Sequence, residues 1–365
     1  MDRQDRHSAD FIDAASRPLS EWTLEGMASR DETFRARHDS EALQLWRGEL
    51  RHRIRHLAES VSCRTSELLA RNVVWSREAF EARGIPCTDL EASLTVLGEV
   101  IDEHMPASVA ERCAEPLAAA MARLREAAPC RSDRAATEPT EPLAGEDDDA
   151  AAARLYLLHL LDRSEEEATR ILLDLQEAGR GTAEIYERVI SPALAEIGRM
   201  WHLGEATVAD EHFATGTTRL IMAELRRHAP RAAPCGHSVL CTAVGGDLHD
   251  LGIRMVADVF EFAGWESQCL GADMPSEAVV EALQHRVTGR FDLLAIAANT
   301  TLGLRPAADL IEAVRASGPG KGVRIIVGGL PFRIAPDLAG LVGADGCANR
   351  ASEAVALAER LLRPS

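Results

Sequence analysis

No stretch of this 365-residue chain approaches the roughly 18 consecutive apolar residues that a membrane-crossing helix requires. The N-terminus, MDRQDRHSAD, is charged where a secretory signal needs an apolar core, which points to a cytoplasmic protein. Basic residues are also short. Lys plus Arg total 40 against 58 Asp plus Glu, a formal charge of −18, so a phosphate-binding surface would need a local cluster. The most basic stretch, Arg47 to Arg55, is broken by Leu50 and Ile54 at helical spacing and reads as a solvated helix face, which disfavours direct DNA binding. The eight cysteines, at 63, 87, 113, 130, 235, 241, 269 and 347, include no C-x-x-C pair, so neither a zinc site nor a disulfide framework is expected. Aromatics are only 4% of the chain, which makes the position of each of its five Trp informative.

What is present is helical periodicity that gives way abruptly to strands. Residues 1–39 are polar and weakly periodic and are expected to form a flexible lead-in. Over 40–130, stripes such as Leu43, Trp46, Leu50, Ile54, Leu57 and Val61 predict a helical domain. Residues 131–150 combine prolines, small residues and an acidic run, the composition of an exposed linker. Residues 151–230 read as a second helical bundle, with breaks near Ser164, Gly179 to Gly181, Ser191-Pro192 and Gly204. Across 236–365, five short apolar runs alternate with helices, which argues for a flavodoxin-like, doubly wound parallel sheet. Ligands of such sheets bind outside the carboxyl ends of the strands, in the loops after Val244, Gly271, Ala298 and Val327.

The first of those loops holds Asp247-Leu248-His249-Asp250-Leu251-Gly252. A carboxylate two residues before an imidazole can fix its tautomer, as in the outer shell of a metal site, and Gly252 leaves room for a bulky ligand. A solvent-exposed histidine at a helix start is the bland alternative.

The D-x-H-x-x-G loop resembles the cobalamin-binding domain family, in which this histidine is the lower axial ligand of cobalt and the nucleotide tail of the cofactor lies beside the sheet. The likeness runs from His237 to Leu362 and includes Gly271-Ala272-Asp273-Met274-Pro275 and the pair Gly328-Gly329. One position departs: many members have serine where this chain has Ala297, and Thr300 or Thr301 is expected to supply the hydroxyl.

The bundle adds Trp201-His202, then Val208 and Glu211-His212. Trp followed after nine residues by Glu-His resembles the adenosylcobalamin photoreceptors. That resemblance implies Trp201, Val208, Glu211 and His212 around the adenosyl group, and His202 as a second cobalt ligand after light breaks the Co–C bond. Packing of these residues between helices is the plainer alternative. A helical N-terminal domain beside such a module is similar to the photocobilins, which implies biliverdin as a second chromophore. Trp46, Trp75, Phe80, His52, His56, Arg51, Arg53 and Arg55 are its candidate partners.

The expectation is therefore a cytoplasmic, non-enzymatic light sensor acting through light-dependent self-association and an unknown effector, since no output domain is visible after Leu362. The rival is a corrinoid methyl-carrier protein of a methyltransferase system, which needs an open upper face. An isomerase subunit is disfavoured, because no substrate barrel accompanies the sheet.

Overall fold

The computed structural model describes residues 1–126, 143–284 and 289–363. The chain divides into two compact units, 1–130 and 131–365.

The first unit is all-helical: α1 (Arg3–Ala14), α2 (Ser16–Arg30), α3 (Glu32–Arg37), α4 (Ser40–Cys63), α5 (Glu67–Ala82), α6 (Cys87–His104) and α7 (Ala107–Glu126). Helix α4 is central and packs against α1, α2, α5 and α7. Side chains of Asp2, Asp31 and Asp39 cap α1, α3 and α4 by accepting first-turn N–H groups, each worth about 1 kcal/mol.

The expected flexible lead-in at 1–39 is corrected here. Those residues form three helices that place Ala9, Ile12, Leu19, Leu24, Met27 and Phe34 in the core of this unit. Two core positions of α2 are polar, which masks the stripe. Ser20 and Thr23 each donate at 2.7 Å to a backbone carbonyl one turn back, to Arg17 and Leu19, and so lie buried at no hydrogen-bond cost.

The second unit starts with a four-helix bundle: α8 (Asp148–Leu161), α9 (Glu165–Glu177), a third helix in three parts, and α12 (Val208–His228). The third helix runs from α10 (Thr182–Ile185) through a π turn (Tyr186–Ile190) into α11 (Ser191–Leu203). The break expected at Ser191-Pro192 does not occur. Pro192 directly follows the π turn, where the regular hydrogen-bond ladder is already interrupted, and the chain stays helical through it. The exposed-linker reading of 131–150 falls partly outside the described residues. Its described end belongs to the bundle instead: Leu143 is fully buried in the core, and Asp147 caps α8.

The sheet follows with β1 (Ser238–Val244), α13 (Leu251–Phe262), β2 (Glu266–Met274), α14 (Ser276–Gln284), β3 (Leu293–Ala297), α15 (Leu304–Ala316), β4 (Arg324–Gly328), α16 (Leu330–Ile334), α17 (Leu338–Val342), β5 (Gly346–Cys347) and α18 (Ala351–Leu362). All pairings are parallel, in the order β2-β1-β3-β4-β5, the doubly wound arrangement expected from the sequence. Every residue of β1 and β3 is buried, as strands covered on both faces require. The bundle core runs on into Met255 and Val259 of α13 and Ala351 of α18, so bundle and sheet share apolar packing.

Candidate functional site

The chain leaves β1 at Val244 and turns through Gly246, whose φ of +80° suits glycine. The side chain of Asp247 folds inward with 2% exposure while the imidazole of His249 stays 68% exposed. The His249 backbone N–H donates to Asp247 Oδ1 at 3.1 Å, and its ring Nδ1 lies 2.8 Å from the same oxygen. Asp247 Oδ2 accepts the backbone N–H of Asn299 at 2.5 Å and its side-chain amide at 3.2 Å. That amide also donates to the His249 carbonyl at 3.0 Å, so the ends of β1 and β3 are sewn together around the carboxylate.

Burial works against the charge of Asp247, but the hydrogen bonds from His249 and Asn299 outweigh it and hold its carboxyl below the usual range. The bond to Asp247 raises His249 above the usual imidazole range, against burial and with help from the Asp247 and Glu211 charges. With Nδ1 taken by Asp247, Nε2 is the nitrogen offered outward.

Beside this loop lies a cavity of about 520 Å³ between α13 and the strands, with Gly252, Ile253, Val256, Ala297, Val327 and Gly328 among its walls. The glycines differ in why they are there. A Cβ on Gly329 would stand 2.0 Å from the Ala298 carbonyl oxygen, and one on Gly328 2.6 Å from that of Ala348, so the fold itself demands both. A Cβ on Gly252 would meet nothing nearer than 3.9 Å. That space belongs to the cavity, and the protein leaves it empty.

Polar contacts add to the apolar packing of bundle on sheet. Glu187 in the π turn accepts the backbone N–H and Oγ–H of Ser352, at 2.9 and 3.1 Å. Arg219 of α12 pairs with Asp250, next to His249, at 2.8 Å, and Asp250 also takes Arg254 at 2.6 Å. Tyr186 donates to Asp258 of α13 at 3.0 Å, while Arg226 reaches both Asp258, at 3.2 Å, and Glu261.

Trp201 at the end of α11 is 43% exposed and Val208 at the start of α12 is 56% exposed, across the turn at Gly204. Glu211 pairs with the exposed His212 at 2.8 Å. Glu211 and His212 stand in the first turns of α12, the helix whose Arg219 reaches Asp250 in the loop after β1. His202, next to Trp201 in the last turn of α11, is buried.

Thr301 begins a short 3₁₀ turn and is buried, and neither it nor Thr300 is among the cavity walls. Ala297 and Asn299 occupy that wall. Asn299, Asp250, Arg219 and Glu187 were not singled out from the sequence. Only Asn299 had a positional signal, as the second residue beyond β3.

In the first unit, Trp46 and Phe80 meet edge-on at 5.1 Å as core residues, whereas Trp75 is exposed. Arg51 and Arg55 turn outward, toward Glu21 and Asp13 at 3.6 Å each. His52 and His56 face each other with Nε2 atoms 3.0 Å apart.

A helical cap seated on a doubly wound sheet, with a carboxylate-held imidazole beside an apolar cavity, defines a cofactor-binding α/β module. Two family models, each described as a B12 binding domain, match residues 153–226 and 237–358. Over 184 residues the chain is 30% identical to dimethylamine corrinoid protein 3 of Methanosarcina acetivorans, covering 49% of this chain and 82% of that one. It is 25% identical to the trimethylamine corrinoid protein of Methanosarcina barkeri over 202 residues, 54% of this chain and 90% of that one. The structure of the Methanosarcina barkeri monomethylamine corrinoid protein is similar with a TM-score of 0.49 at 19% identity, covering 59% of this chain and all of that one.

The chain belongs to the cobalamin-binding family of corrinoid proteins, and its cofactor class is cobalamin. Light-dependent self-association as the output is corrected by these relatives, which are corrinoid proteins named for methylated amines. A further similar structure, at 17% identity and a TM-score of 0.31, is a methanol:cobalamin methyltransferase complex from Methanosarcina barkeri. Among the described residues no helix is long and apolar enough to cross a membrane.

Proposed function

We propose that this chain is a corrinoid carrier that holds cobalamin between cap and sheet and offers its upper face to a partner methyltransferase. The arrangement of Asp247, His249 and the adjoining cavity carries this reading. No group of three or more metal-ligating side chains exists among the described residues, so a lone oriented imidazole suits a metal whose other positions a macrocycle fills. The residues present fit the group. His249 Nε2 would take cobalt from below, Asp247 and Asn299 would hold the ring, and the cavity past Gly252 would take the nucleotide tail. When bound, the cobalt supplies a site that accepts and releases a methyl group. The chain's own part is to fix the imidazole, exclude water with apolar walls, and expose one end of the cap. The likeness to methylamine corrinoid proteins supports this role.

The test is to load the chain with methylcobalamin and follow loss of its spectrum on adding a corrinoid-dependent methyltransferase and a thiol acceptor. No partner-dependent demethylation would sink the carrier reading. His249→Ala should remove the nitrogen splitting from the Co(II) resonance whichever partner is used.

One observation favours a second reading, adenosylcobalamin light sensing: Trp201, Val208 and the Glu211–His212 pair gather at the turn from α11 into α12, the helix whose Arg219 pairs with Asp250 beside His249. On that reading His202 ligates cobalt after illumination. An unchanged spectrum of the adenosylcobalamin-loaded protein under green light eliminates it.

A further inference from the structure

A second cavity, of about 230 Å³, runs along the seam between the cap helix α12, α13 and the edge strand β2. It shares no wall residue with the cavity past Gly252. Arg219 and Arg226 of α12, Arg254 and Asp258 of α13, and Ser267 and Cys269 of β2 are among its walls. Three arginines thus converge on one cavity in a chain whose formal charge is −18. Their side chains are only half-buried, so the cavity opens to solvent.

The arginines are unevenly matched. Asp250 serves two of them, its Oδ1 accepting from Arg219 Nη2 at 2.8 Å and its Oδ2 from Arg254 Nε at 2.6 Å. At the other end Arg226 and Arg231 share Asp258 and Glu261. Four guanidinium groups therefore meet three carboxylates. Each bond to Asp250 uses one nitrogen, which leaves Arg219 and Arg254 with further N–H donors. Arg254 Nη2 lies over β2 only 3.2 Å from where a Cβ on Gly271 would stand, in space that a side chain there would take. Burial holds the Cys269 thiol above its usual range, so it adds no opposing charge. The volume is below the roughly 300 Å³ at which sites for drug-sized ligands begin, so the occupant is a small ion. Guanidinium groups match the oxygens of a phosphate with paired N–H donors. We propose that this seam binds inorganic phosphate, held by Arg219 and Arg226 from the cap and by Arg254 from the sheet, so that the ion ties the two together. The site is independent of the carrier reading.

The test is calorimetric titration of the full chain with inorganic phosphate at pH 7, at an ionic strength held constant with chloride. Phosphate should bind saturably, one ion per chain, and Arg254→Gln should weaken it by about tenfold or more. Ala223→Leu keeps every charge but fills the cavity from an exposed position on α12, and should weaken phosphate at least as much. The melting temperature without phosphate reports that each variant is folded, and Ala223→Leu carries the test if Arg254→Gln is not. No saturable binding by the unmodified chain overturns the proposal. So does undiminished phosphate affinity in a folded Arg254→Gln chain, or in Ala223→Leu, which would put the ion outside the cavity.

Discussion

Asn299 donates its backbone N–H to Asp247 at 2.5 Å across 52 residues of sequence, and so braces from behind the carboxylate that orients His249. Outer partners of a metal-bound histidine typically contribute 10- to 100-fold to metal affinity. Asp247→Ala should therefore weaken cobalamin binding about 10- to 100-fold. Asn299→Ala should act in the same direction but less, because Asp247 keeps its bonds to His249. Absorbance titration with hydroxocobalamin measures both.

Gly252 and Gly329 should separate folding from binding. Gly252→Val meets no protein atom that forbids it and should keep the melting temperature, yet it fills the cavity mouth and should cost at least about tenfold in cobalamin affinity. Gly329→Ala sets a Cβ against the Ala298 carbonyl at a φ of +112° and should lower the melting temperature before any ligand is added. Thermal melts of the empty proteins, followed by titration, check both outcomes.

Asp258 gives the cap contact a pH signature. Burial foremost raises it from 3.8 to about 6, against the Arg226 charge and the Tyr186 hydrogen bond. The folded chain then binds this proton more readily than the unfolded chain, so the cost of keeping the carboxylate charged is present above about 6 and fades as the pH falls toward 3.8. Between pH 7 and pH 5 the unmodified protein should gain about 1 kcal/mol relative to Asp258→Asn. Urea unfolding of both chains at the two pH values measures the difference.

Trp201 separates the two functional readings. For a carrier with an open upper face, Trp201→Ala should leave the ratio of adenosylcobalamin to methylcobalamin affinity within about twofold. A selective loss of adenosylcobalamin affinity, roughly three- to tenfold as expected for losing an aromatic contact, would instead favour light sensing. Paired titrations in the dark decide it.

Elements that depend on one repeating pattern were legible in the sequence. The five strands and their helices follow from local apolar runs, and D-x-H-x-x-G lies on a single loop whose Asp–His contact spans two residues. The first three helices were not legible because Ser20 and Thr23 sit in the core with their hydroxyls satisfied by the backbone, which no hydropathy pattern reveals. Nor were Asn299, Arg219 and Glu187, whose roles arise from bonds to Asp247, Asp250 and Ser352 over separations of 52, 31 and 165 residues. Such partners become readable only once the strand order is known.

The π turn at Tyr186–Ile190 fixes the cap in a way no single side chain could. An α-helix advances about 100° per residue, and a π turn holds one residue more than the α turn it replaces. Deleting one residue there would let a regular α turn close the same rotation, so α10 and α11 would keep their phase, with Ala193 and Ile197 still facing inward. The same deletion within the regular turns of α11 before Trp201 has no wide turn to absorb it and should rotate Trp201 by about 100° about the helix axis. The alignment of the cap is stored as helical phase, so the two deletions should differ sharply in cobalamin affinity although each removes a single residue.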